Sequence, residues 1–323
     1  MSPAVELGVM VPLGWRGELA PIDGATAQWA RVRDLALSAE ALGLDSIWVS
    51  DHVMTVPSVA TADSVFECWT TLSALAQATT RVRLGQLAGC AVLRPPTLVA
   101  KMTACVDVIS GGRLDWGIGA GWYEGEALAY GYDFPSAPER IERLAEYVEV
   151  VTALWRDPVV HHAGRHFTVR GARCDPKPLQ RPHPPVLVAG SGARRTLGVV
   201  ARFADRANWG GDANDFARTA ETLRAHCAAV GRDPDTIELT WGGELFIRDT
   251  VAELRSDWRG AALEGDSFEA WSARSLAGTP EQVAEKMRSL TEVGCRAFIP
   301  WCHDFPADTT LTRYATEVAP LLR

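Results

Sequence analysis

The sequence predicts an α/β protein of the (β/α)8, or TIM, barrel class, and three observations predict it. Eight short apolar segments rich in valine, isoleucine and leucine recur along the chain, bounded by turn residues. Most are followed by a stripe of apolar residues at helical spacing. The residues just past each segment, where the active sites of such barrels lie, include glycines, acids, histidines and arginines. An open doubly wound sheet would more often use five to seven strands.

The elements follow in order. "VELGVMVP" (5–12) is the first strand, and the face Trp29, Val32, Leu35, Ala36, Ala39 and Leu42 is the first helix, stopped by Gly43. "DSIWVS" (45–50), "VRLGQLA" (82–88) and "RLDWGIG" (113–119) are strands two to four, separated by helices around 67–78 and 97–109. Ile141, Leu144, Val148, Val151 and Trp155 mark a long helix over 139–155, with Ser136-x-x-Glu139 as its expected capping box. "PVLVAG" (185–190), "DRANWG" (205–210), "IELTWGGELFI" (237–247) and "RAFIPW" (296–301) complete the eight, with helices near 193–203 and 213–229 and another capped by Thr279-Pro-Glu-Gln282. No low-complexity linker or repeat divides the chain, so 1–323 is read as one domain. Insertions are expected at 157–184, a hairpin with a proline-rich return, and at 249–277, a polar stretch that would serve as a lid.

Bulk composition narrows the function. With Lys+Arg 32 against Asp+Glu 40 the net charge is −8, which does not favour nucleic acid or an anionic membrane surface. Lysine occurs only at 101, 177 and 286, leaving few candidates for Schiff-base chemistry. Seven cysteines without a CxxC suggest reduced thiols rather than a disulfide framework. Neither a signal-like start nor an apolar run of about 20 residues is present, so a cytoplasmic protein is expected.

The strand ends carry the candidate chemistry. "GRLDWGIGAGWYEGE" (112–126) resembles a dinucleotide loop, but it ends the fourth strand and reads G-x-G-x-G, not G-x-G-x-x-G. Gly119 and Gly121 would instead let a flat ligand approach the backbone, or serve the turn alone. Asp51-His52 closes the second strand: either the acid orients or charges an acid–base histidine, or it is a strand-end Asp bonding backbone N–H groups with its neighbour exposed. Gly190, Ser191 and Gly192, ahead of a helix and beside Arg194 and Arg195, suit an anion; the alternative is a plain turn with solvent-facing arginines. Trp15, Trp122, Trp209, Trp241 and Trp301 are candidates to wall a pocket for a flat ring, as is Tyr123 beside them. His161, His162 and His166 flank Gly164 in a hairpin, which is not zinc-site geometry.

Taken together, "GLDSIWVSDH", "TTRVRLG", "VAKMTACVDVISGGRLDWGIGAGWYEGEALAYGYDFP", "RIERLAEYVEVVTALW", "ARFADRANW" and "GTPEQVAEKM" resemble the luciferase-like monooxygenase superfamily, most closely its branch of F420-dependent oxidoreductases. The resemblance implies a barrel that binds coenzyme F420, or alternatively FMN, at its C-terminal mouth. It places Asp51-His52 by the reactive ring, a non-prolyl cis peptide at Leu87–Ala88 with Gly89 backing that ring, and phosphate on the loop Gly190 to Arg194. It also implies a small-molecule substrate and allows a homodimer. One departure stands out. The branch that oxidises glucose 6-phosphate has a glutamate and a tryptophan where this chain has Trp122 and Val56, which argues against a sugar phosphate and for an apolar, aromatic acceptor. Two further readings stay open: an FMN-dependent monooxygenase supplied with reduced flavin and oxygen, and a barrel that only sequesters cofactor.

Overall fold

A computed structural model describes residues 5–56, 63–258 and 267–322. Eight parallel strands close into a barrel: β1 (Glu6–Met10), β2 (Ser46–Val49), β3 (Arg83–Gln86), β4 (Leu114–Gly119), β5 (Val186–Ala189), β6 (Arg206–Trp209), β7 (Glu238–Ile247) and β8 (Ala297–Cys302). Each pairs with the next, and β8 returns to β1 through Glu6↔Ala297 and Leu7↔Phe298. Strands such as β2 (SIWV) and β8 (AFIPWC) are buried along their whole length, because barrel interior and helix layer cover opposite faces.

The helices expected from the apolar stripes form as α1 (Ala25–Ala41), α2 (Cys68–Ala78) and α3 (Pro96–Ile109). A six-residue α4 (Glu124–Ala129), not expected from the sequence, precedes α5 (Ala137–Arg156). Then come α6 (Thr196–Phe203) and α7 (Ala213–Val230). Thr279 and Gln282 make the expected capping box on the helix Pro280–Glu292. Ser136 does not make its own: it stands at the N-cap of α5 without a side-chain bond, and Glu139 pairs with Arg143 at 3.1 Å instead.

The barrel is plugged, not hollow. Trp48 fills its middle, and a Cβ on Gly85 would come within 2.4 Å of the indole. Below it, Arg206 pairs with Glu6 at 2.6 Å, Asp115 at 3.2 Å and Glu238, and Arg83 with Asp115 at 2.6 Å. Any ligand entering the C-terminal mouth therefore meets a closed end.

The insertion at 157–184 contains the hairpin Val160–Ala163 with Thr168–Ala172, tied to α5 by His162 on Glu146 at 3.0 Å. In the second insertion, Val251–Asp257 and Phe268–Arg274 are helices, and Leu254, Phe268 and Trp271 pack on Phe246 at the end of β7. The middle of the expected lid, 259–266, lies outside the described residues. Among the described residues no helix is long and apolar enough to cross a membrane.

Candidate active site

A cavity of about 450 Å3 opens at the C-terminal end of the strands. One side is built from small residues at the ends of β3, β4 and β5: Ala88, Gly89, Gly119, Ala120, Gly121, Ala189 and Gly190. The Leu87–Ala88 peptide bond is cis, as the resemblance implied. Gly121 has φ +78°, and a Cβ there would sit 3.0 Å from Cys90 Sγ, so conformation and space both require glycine. Gly119 lines the cavity at the end of β4. Trp15, Trp122, Tyr123, Phe134 and Ile141 supply an aromatic and apolar wall.

Asp51 and His52 both line the cavity, beyond the end of β2 at Val49, but their side chains take different partners. Asp51 turns to Arg94, with Nη1 at 2.8 Å, and accepts the Cys90 N–H at 2.9 Å. It thereby pins the bend after β3. Burial raises the Asp51 carboxyl, against the opposing pull of Arg94 and the Cys90 N–H. The expectation that Asp51 orients His52 is corrected: Arg94 and the Cys90 N–H hold its carboxylate, and the imidazole bonds Glu126 instead. Of the two readings of Asp51-His52, the first half of the structural one holds, because Asp51 bonds backbone. Its second half does not, because His52 is buried in the cavity wall.

The partner of His52 is Glu126. Its Oε2 lies 2.9 Å from His52 Nδ1, and its Oε1 accepts the Val53 N–H at 2.6 Å and the Met54 N–H at 3.3 Å. Trp15 stacks on the imidazole at 4.6 Å and 21°, and Trp122 meets it edge-on at 5.8 Å. Sequence reading missed Glu126 because α4 is too short to show a period and its partner lies 74 residues away. The one signal was an acid two residues inside a helix start, following the glycine-rich strand end.

The expected anion loop sits on the rim. Gly190 and Thr196 line the cavity, while Ser191, Gly192 and Arg194 are exposed beside it on the loop leading into α6. The tryptophans divide. Trp15 and Trp122 line the cavity with Tyr123; Trp209, Trp241 and Trp301 do not. Trp209 points into the helix layer against Phe216 at 5.0 Å, whereas Asn208, one residue earlier, reaches the cavity. Trp241 likewise faces outward and donates to the Gly211 carbonyl at 2.9 Å. Trp301 stands behind Trp15, edge-on at 6.0 Å.

Behind Trp15 lies a second polar cluster. Glu244 accepts from Arg16 at 2.7 Å, from Trp271 Nε1 at 2.7 Å, and contacts His303 Nδ1 at 2.8 Å. Burial alone would raise this carboxyl; His303 and Arg16 outweigh it and bring it to about 2.

The cavity suits a flat, partly polar ligand. Its volume is in the range of small-molecule sites, its small-residue side leaves backbone open to close approach, and the buried hydroxyl of Ser50 lines it without a partner among the described residues.

The comparisons with known proteins agree with this geometry. The family model for luciferase-like monooxygenases matches residues 6–266. The F420-dependent glucose-6-phosphate dehydrogenase of Kineococcus radiotolerans is 28% identical over 329 residues, spanning 91% of this chain and 93% of that one. The FMNH(2)-dependent dimethylsulfone monooxygenase of Pseudomonas putida is 25% identical over 266 residues, 71% of each chain. An F420-dependent secondary alcohol dehydrogenase, solved with an F420-acetone adduct, shares the fold with TM-score 0.82 at 19% identity, covering 99% of this chain and 100% of that one. Relatives thus include users of either cofactor, on one barrel. The chain belongs to the luciferase-like monooxygenase family.

Proposed function

We propose that the protein is an F420-dependent oxidoreductase acting on a small apolar or aromatic substrate at the mouth of the barrel. The observation that carries this reading is the buried imidazole of His52, held between Glu126 and Trp15 on the wall of a cavity that small residues and a cis peptide also line. F420, bound against Ala88 and Gly89, would supply a two-electron hydride donor or acceptor. Gly119 and Gly121 give its ring room, and Gly190, Ser191, Gly192 and Arg194 offer its phosphate a rim of backbone and one cation. His52 gives or takes the accompanying proton, while the aromatic wall orients substrate and excludes water. Asp51 serves the site through the backbone it pins.

The substrate class rests on charge as well as shape. The cavity's one arginine, Arg140, donates Nη1 to the Pro135 carbonyl at 2.6 Å and Nε to that of Gly121 at 3.3 Å, so it serves the fold rather than a sugar phosphate. Trp122, 54% exposed at the rim, adds an aromatic surface instead. F420 is favoured over FMN by the F420-dependent relatives that align along nearly the whole chain. The dimethylsulfone monooxygenase supports a second reading, an FMN-dependent monooxygenase using reduced flavin and oxygen.

The test is a parallel fluorescence titration with oxidised F420 and FMN, followed by oxygen uptake with the reduced form of whichever binds. Micromolar or tighter F420 binding, weak FMN binding and no substrate-dependent oxygen uptake are expected. The reverse preference moves the assignment to the monooxygenase. Binding of neither overturns both and the phosphate rim with them.

A further inference from the structure

His52 can exchange a proton through only one of its nitrogens, and the structure selects which. We infer that Glu126 is the positioning residue of the site: it holds His52 as the Nδ1–H tautomer and leaves Nε2 to face the reacting molecule. The inference deepens the function proposed above and rests on it for the identity of the chemistry, not for the tautomer.

Glu126 is buried, and α4 turns it and Ala127 inward. Its Oε1 accepts two backbone N–H groups, from Val53 and Met54, which suits a carboxylate and not a carboxylic acid. Oε2 is then an acceptor too, so His52 Nδ1 at 2.9 Å must be the donor. Among the described residues no other hydrogen bond engages the ring. The stacked Trp15 and edge-on Trp122 restrict its rotation. The other ionisable groups nearby are committed elsewhere or are weak. Asp51 is held by Arg94, Arg16 by Glu244, and Arg140 by two carbonyls. Cys90 shares the cavity wall, but burial pushes its thiol up to about 11; Tyr123 lines the same wall. Glu126 is therefore the charge in direct contact with the imidazole. It fixes the neutral ring in one form.

The experiment is nitrogen-15 NMR of histidine-labelled protein without cofactor, with the His52 signals assigned by their loss in His52→Ala. Wild type should show a protonated Nδ1 and an unprotonated Nε2 above the ring's own titration. Glu126→Gln offers an amide where two acceptors are needed, so it should yield mixed tautomers. Turnover should fall roughly 10–100-fold, the usual cost of losing a group that orients a functional histidine, with F420 affinity changed less than about twofold. A wild-type ring protonated at Nε2 overturns the inference, and so does a Glu126→Gln protein with unchanged tautomer. If that variant fails to fold, the wild-type spectrum alone decides. Because the tautomer is read without cofactor, failure to bind F420 would sink the proposed function and leave this result standing.

Discussion

The two ends of the barrel use the same kinds of side chain to opposite purposes. At the N-terminal end a hollow of about 880 Å3, larger than the mouth cavity, is walled by Glu6, Arg83, Asp115, Arg206 and Glu238. Those five charges satisfy one another, and despite its burial the Arg206 guanidinium is pushed further up by Glu6, Asp115 and Glu238. At the C-terminal end polar groups are left unspent: among the described residues Ser50 Oγ and Trp15 Nε1 are buried without partners, and His52 commits one nitrogen. Size does not locate the site. A saturated network holds the fold, whereas unsatisfied donors and acceptors around a small-residue wall await a ligand.

Breaking each end should therefore give different losses. His52→Ala at the mouth should lower turnover roughly 10²–10⁴-fold if His52 is the general acid or base, with F420 affinity nearly unchanged. Single-turnover kinetics beside a cofactor titration would check it, and unchanged turnover would remove His52 from the chemistry. Arg206→Met at the base should do the reverse. Removing the cation leaves Asp115 buried beside Arg83 alone, and breaking such a network typically costs about 3–5 kcal/mol. Urea unfolding should show that loss while kcat per folded molecule stays within about twofold. A large fall in kcat would mean that the two ends are not separable.

The same contrast explains what the sequence could and could not reveal. The eight strands were legible because strands buried on both faces must be continuous apolar runs, whatever their neighbours. The strand-end glycines were legible because few residues tolerate φ near +78° or a Cβ 3.0 Å from a sulfur. Which way a side chain points at a strand end was not legible. A shift of one residue exchanges cavity for helix layer, and that shift misassigned Trp209 and Trp241. Glu126 was hidden for another reason: its meaning lies in a contact between the second and fourth strand ends, which no local pattern encodes.

Glu244 sharpens the comparison from the mouth side, where one charge cluster is paired as tightly as those at the base. Its carboxyl is brought from the ordinary 4.5 to about 2, so it contributes stability fully above 4.5 that is lost as pH falls through 4.5 towards 2. That contribution is on the order of 3 kcal/mol, from about 1.4 kcal/mol per unit. Denaturant melts between pH 5 and pH 2 should show a steeper loss for wild type than for Glu244→Gln. Parallel slopes would mean that Arg16 and His303 do not hold the carboxylate in solution.

The smallest effect should come from Trp122, and its smallness is informative. With more than half its surface exposed, it contributes little to the core, so Trp122→Leu should change stability by no more than about 0.5 kcal/mol. Its remaining contact with the site is the edge it presents to His52 and the rim it adds to the cavity. An aromatic contact of this kind is worth about 0.5–1.5 kcal/mol, which would raise KM for an aromatic substrate roughly 2–12-fold, because ground state and transition state lose the same stacking. For a compact aliphatic substrate the same variant should be nearly silent. Steady-state kinetics on a matched aromatic and aliphatic pair would separate a wall that recognises rings from one that only excludes water, and equal KM changes for both would favour the latter.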